Sequence, residues 1–117
     1  MVKVVINSCH GGFGLSNEAF EMFLDRKGIA WEKEKEQRMV FYYHAGHLGV
    51  EDEYISPREI LNNRSDHDLV DIVEKLGQKA DGFCASLKVI EVPDDVKWDI
   101  DEYDGREWVA EKHRKWE

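Results

Sequence analysis

The stretch from Val2 to Lys27, VKVVINSCHGGFGLSNEAFEMFLDRK, constrains the fold more than any other part of the chain. It reads as a short apolar strand (Val2, Val4, Val5, Ile6), a loop holding Gly11, Gly12 and Gly14, and a helix opening at Ser16. A serine hydroxyl at that position accepts a hydrogen bond from an unpaired amide of the first turn, and Glu18 suits the positive end of the helix dipole. Ala19, Phe20, Phe23 and Leu24 recur at helical spacing, and Gly28 supplies a left-handed stop. Strand, glycine loop and helix in this order can aim free backbone amides at an anion, because glycine lets a phosphate approach the main chain. The run Gly11-Gly12-Phe13-Gly14 is neither GxGxxG nor a P-loop, and no lysine follows it. A glycine-rich turn that folds the helix back over its strand explains the same residues and ranks slightly ahead of a ligand loop.

A chain of 117 residues predicts one domain, 1–117, with a single hydrophobic core. Hydrophobic residues at 42% and charged residues at 35% fit a globular protein with a heavily charged surface. No apolar run is long enough to span a bilayer, and the first residues lack the pattern of a signal peptide, so no membrane partner and a cytoplasmic location are expected. Sixteen Lys and Arg stand against 25 Asp and Glu, a net charge of −9, which repels a nucleic-acid backbone. That charge leaves room for a small anionic ligand held by a local cluster of amides and arginines, and it suits a basic partner. Nothing in the sequence brings Cys9 and Cys84 together, so reduced thiols are expected. No cofactor is implied.

Beyond Gly28, the run EKEKEQR (32–38) reads as a solvated helical turn, an edge strand or a linker. Met39 to Tyr43 predicts a strand, and HAGHLGVEDEY (44–54) a surface loop. His44 and His47 alone are too few for a zinc site, and no metal is expected. Pro57 starts a short helical turn with Ile60 and Leu61 facing inward. Ser65 and Asp68 have capping-box spacing ahead of a helix whose stripe is Leu69, Val70, Ile72, Val73 and Leu76. Ser86 to Val92 and Val96 to Asp101 read as strands close enough to pair as a hairpin. Tyr103-Asp104-Gly105 is expected to turn the chain into a final helix over Arg106 to Lys115, with Trp108 and Val109 on one face and the basic end at its negative pole. Together these elements predict a mixed α/β or α+β domain, a sheet of about four strands packed by two or three helices.

Two chemistries fit the glycine loop. A thiol at a helix N-terminus is activated as a nucleophile, so Cys9 with His113 as base would make a cysteine hydrolase, although no nucleophile signature surrounds Cys9. Binding without turnover is preferred, with no catalytic residue. Gly11, Gly12 and Gly14 would then present amides to phosphate oxygens, Phe13 would stack on a base, Arg64 and Arg114 would add bidentate phosphate contacts, and Asn7 and Tyr103 would read ribose or base edges. Arg64 pairing with Asp66 or Asp68, and Tyr103 covering the core, are the ordinary structural alternatives.

VVINSCHGGFGLS, RSDHDLVDIVEKLG, LKVIEVPDDVKWDIDEYDG and EWVAEKHRKW resemble a widespread family of small proteins encoded by phages and prophages. The resemblance covers most of the chain and is weakest from Ile29 to Tyr54; His67 stands where such proteins often have proline. It implies a counter-defence role in the host cytosol. A sponge that sequesters a nucleotide second messenger, of cyclic ADP-ribose or cyclic oligonucleotide type, comes first. An acidic module that inhibits a host protein comes second, and the cysteine hydrolase third. A homo-oligomer is expected, with Trp108 and Trp116 packed, one against the sheet and the other against a second copy.

Overall fold

The computed structural model describes residues 1–37 and 39–111. Its elements in chain order are β1 (Val2–Asn7), α1 (Asn17–Arg26), β2 (Trp31–Glu36), β3 (Met39–His44), α2 (Pro57–Ile60), α3 (His67–Leu76), β4 (Leu87–Val92), β5 (Trp98–Tyr103) and β6 (Arg106–Glu111). Short 3-10 turns cover Glu51–Glu53 and Gly77–Ala80. The fold is mixed α+β. The six strands form three antiparallel pairs, β1–β4, β2–β3 and β5–β6, rather than one sheet of about four strands.

The reason lies in β1 and β4, which are apolar on both faces. Val5, Leu87 and Val89 face α1 and α3, joining Phe20, Phe23, Leu24, Leu69 and Ile72 in the larger core. Val4, Ile6 and Val92 point the other way and are covered by Trp98, Ile100 and Val109 of β5 and β6. A two-stranded ribbon therefore lies between a helical layer and a hairpin. The predicted pairing of β4 with β5 does not form, because β4 runs beside β1 from Val2↔Val92 to Asn7↔Leu87.

The predicted C-terminal helix is also corrected. Arg106–Glu111 is a strand, and residues 112–117, with Arg114, His113 and Trp116, lie outside the described residues. Asp104 and Gly105 both take positive φ (50° and 86°) in the turn that closes the ladder beyond Tyr103↔Arg106, the end opposite Trp98↔Glu111. Such a two-residue Asp-Gly loop matches the right-handed twist of a hairpin. Glu107 and Val109 then point inward while Trp108 points out, a period of two that outranks the helical spacing of Trp108 and Val109.

The two longer helices form where expected. Ser16 caps α1, its Oγ accepting from the Ala19 amide at 3.2 Å, and Gly28 follows the helix at φ 71°. Helix α3 is capped by Asp66 rather than Ser65: Asp66 Oδ1 accepts from the amides of Asp68 (2.9 Å) and Leu69 (3.3 Å). The Ser65 hydroxyl donates instead to Asn63 Oδ1. The charged run after Gly28 is strand β2, a hairpin partner of β3. Among the described residues no helix is long and apolar enough to cross a membrane.

Candidate ligand cleft

Three loops meet at one end of the β1–β4 ribbon, and their glycines explain how closely. A Cβ on Gly11 would lie 1.7 Å from the Cys84 carbonyl oxygen, and one on Gly105 would lie 2.6 Å from both the Gly12 nitrogen and the His10 oxygen. The glycine loop is therefore wedged between the chain at Cys84 and the β5–β6 turn. Gly12 is different. Space around it is open, but its φ of 93° is one that L side chains rarely adopt.

Beneath this junction lies a buried polar network. Asn7, fully buried, donates through Nδ2 to the carbonyls of Cys9 (2.7 Å) and Gly105 (2.8 Å). Its Oδ1 accepts from the Ser86 amide at 2.8 Å. Glu107, also buried, accepts from the Asn7 amide at 2.8 Å and receives a two-pronged contact from Arg64, at 2.7 and 2.9 Å. The Arg64 guanidinium lies 3.5 Å from the centroid of the Phe13 ring. No buried side-chain nitrogen or oxygen lacks a partner among the described residues. The network thus pins the glycine loop, the segment before α3 and the β5–β6 hairpin to one another.

Outside the network opens a cleft of about 920 Å³. Gly12, Phe13 and Gly14 form one stretch of its lining, α2 and the following chain contribute Arg58, Leu61 and Asn62, and β5 contributes Trp98, Ile100 and Glu102. Among the described residues the amides of Phe13 and Gly14 donate to no protein acceptor, and exposed Arg58 makes no ion pair. Its ionisable lining is Arg58 and Arg64 against Asp99, Glu102 and Glu107. Arg64 and Glu107 neutralise each other, and Arg58 makes no ion pair among the described residues.

The sequence-predicted site residues divide accordingly. Gly12, Phe13, Gly14 and Arg64 line the cleft, but the Arg64 fork is already filled by Glu107. Asn7 is spent within the network, Gly11 is a packing contact, and Tyr103 stands out in solvent with 71% of its surface exposed. Arg114 lies outside the described residues. Sequence reasoning missed Arg58, Asn62, Trp98 and Glu107. Proline at the first position of α2 marked where Arg58 would sit, and the alternation of Val96, Trp98 and Ile100 marked which face of β5 turns inward; neither said that the two would meet.

The cysteines, which no sequence signal paired, are brought together. Cys9 Sγ lies 2.8 Å from the Cys84 carbonyl oxygen and 3.4 Å from Asn7 Oδ1. Both thiols are free. Among the described residues Cys9 contacts no basic side chain through a hydrogen bond. No group of three His, Cys, Asp or Glu side chains converges as a metal site among those residues. Comparison with known protein families, with curated proteins and with solved structures finds no match.

Proposed function

We propose that this protein acts by binding a small nucleotide-type ligand without turnover, in the cleft between the glycine loop, α2 and β5. Arg58 carries the proposal: it is an exposed guanidinium with no ion-pair partner among the described residues, in a cleft that also holds the undonated amides of Phe13 and Gly14. Arginine and main-chain amides are the groups that bind phosphate oxygens best. Trp98 offers a ring for a base to stack on, and Asn62 an amide to read its edge. The volume falls within the range of small-molecule sites, roughly 300–1,000 Å³.

The role that fits such a binder is sequestration of a nucleotide messenger, the counter-defence role that the resemblance of its sequence to small phage and prophage proteins implies. Titrating the protein with cyclic mononucleotides, cyclic dinucleotides and ADP-ribose, and recovering each ligand afterwards, tests this. The expected result is a bound ligand released chemically unchanged, with affinity lowered at least tenfold, about 1.4 kcal/mol, by Arg58→Glu. Thermal unfolding of the free variant should match that of the parent, since Arg58 is exposed. If no nucleotide binds, or Arg58→Glu binds as well as the parent, the cleft is not a nucleotide site.

A further inference from the structure

The β2–β3 hairpin presents a surface that the cleft does not use. Cross-strand partners share a face, and the ladder runs Glu32↔Tyr43, Glu34↔Phe41, Glu36↔Met39, alternating with Lys33↔Tyr42 and Lys35↔Val40. Tyr42 is buried and donates to Glu21 of α1, so its face is the inner one; Lys33 pairs there with the same carboxylate at 3.0 Å. The outer face therefore carries an apolar row from β3 alongside a glutamate row from β2.

The loop after β3 covers part of that outer face, Gly49 lying beside Glu34 and Tyr54 beside Phe41 and Tyr43, and leaves the Met39–Glu36 end open. Met39 is 62% exposed, and Phe41 and Tyr43 are half-buried, with the Tyr54 ring packed against both at centroid distances of 6.3 and 5.8 Å. Beyond the glutamates, the far edge of β2 pairs with no strand among the described residues. Among the described residues Glu34 and Glu36 make no ion pair, and Glu32 accepts the Gly46 amide at 3.0 Å.

We infer that this edge and face form a docking surface for an extended, basic segment of another protein. An incoming strand satisfies the unpaired groups of β2, and every second side chain of it falls beside Glu32, Glu34 and Glu36, about 6.7 Å apart. Lysine or arginine at those alternate positions complements the row, and an apolar flank covers Met39 and Phe41. A second copy of this chain is the wrong occupant. Antiparallel pairing about a two-fold axis normal to the sheet sets glutamate beside glutamate and lysine beside lysine, which is repulsive.

The test is calorimetric titration of the full chain with two synthetic peptides, one alternating lysine with threonine and one alternating glutamate with threonine. The lysine peptide should bind, more weakly as salt is raised, and the glutamate peptide should not. Glu34→Lys combined with Glu36→Lys should lower that affinity at least tenfold, and Met39→Ser several-fold, with thermal unfolding unchanged in both. If neither peptide binds, if both bind alike, or if both variants bind as the parent does, the inference fails. The glutamates then serve only to guard an unpaired edge.

Discussion

At the scale of single residues, Glu107 holds more of the structure than any side chain in the glycine loop. It satisfies the Arg64 fork and the Asn7 backbone amide at once, so Glu107→Ala leaves the buried Asn7 N–H without a partner and the guanidinium with only the Val5 carbonyl, at 3.3 Å, to donate to. Removing one member of a buried ion pair costs about 3–5 kcal/mol, and chemical denaturation should show a loss of that order. The glycines separate by the same reasoning. Gly11→Ala collides with the Cys84 carbonyl and must displace main chain, whereas Gly12→Ala meets open space and suffers only its φ of 93°. Gly12→Ala should lose about 1–3 kcal/mol and Gly11→Ala more, measured by thermal unfolding of both. Of the two thiols, exposed Cys84 should react with an alkylating agent faster than half-buried Cys9, whose Sγ already lies against two acceptors. Mass spectrometry of a timed alkylation checks the order.

At the scale of elements, α3 depends on a cap that titrates. Burial opposes the charge on Asp66, yet Lys27 and the amides of Leu69 and Asp68 outweigh it, holding the carboxyl below its ordinary value. A carboxylate with a depressed folded value adds stability above its unfolded value, near pH 4, and that contribution disappears as pH falls through the folded value. Asp66→Ala should therefore cost about 1 kcal/mol at neutral pH and progressively less below pH 4, by denaturation at several pH values. The Lys27 ammonium, held by hydrogen bonds to Asp66 and Asp68, has its own value raised and stays charged throughout that window. The β5–β6 turn is the other sensitive element. Gly105→Ala combines an unfavourable φ with contacts of 2.6 Å to the glycine loop, so it should loosen the hairpin and the network beneath it together.

At the scale of the whole molecule, exposed aromatic surface remains on the outer face of the β5–β6 hairpin. Trp108, 44% exposed, stands beside Asp101 and one step from Tyr103, on the face turned away from Val4 and Ile6. The sequence expected one tryptophan to pack on a second copy, and exposed Trp108 is where that expectation is tested. Light scattering across a concentration series should return a dimer that Trp108→Ser dissociates; a strict monomer at high concentration removes the idea. This face is separate from the β2 edge, where like charges oppose self-pairing, so dimerisation and peptide docking are independent measurements.

What the sequence determined is what local periodicity carries. Val4 to Ile6, the stripe of α1 and the stripe of α3 are each declared within one short segment, and each is buried as read except Leu76, which is partly buried. Ser16 and Gly28 mark the ends of α1 because a cap needs only its own turn. EKEKE read as a solvated strand only as one of three alternatives, and hairpin pairing decided among them. Asp104-Gly105 did announce a hairpin, but the helical spacing of Trp108 and Val109 masked it. The candidate cleft was legible in part: Gly12, Phe13, Gly14 and Arg64 do line it, while what Arg64 and Asn7 bond to depended on Glu107, 43 residues from Arg64 and 100 from Asn7. A buried amide or carboxylate takes whichever partner the fold brings within about 3 Å, and no local pattern encodes that distance. Tertiary structure alone therefore tied Asn7 and Arg64 into the buried network and set Arg58, without an ion pair among the described residues, on the cleft.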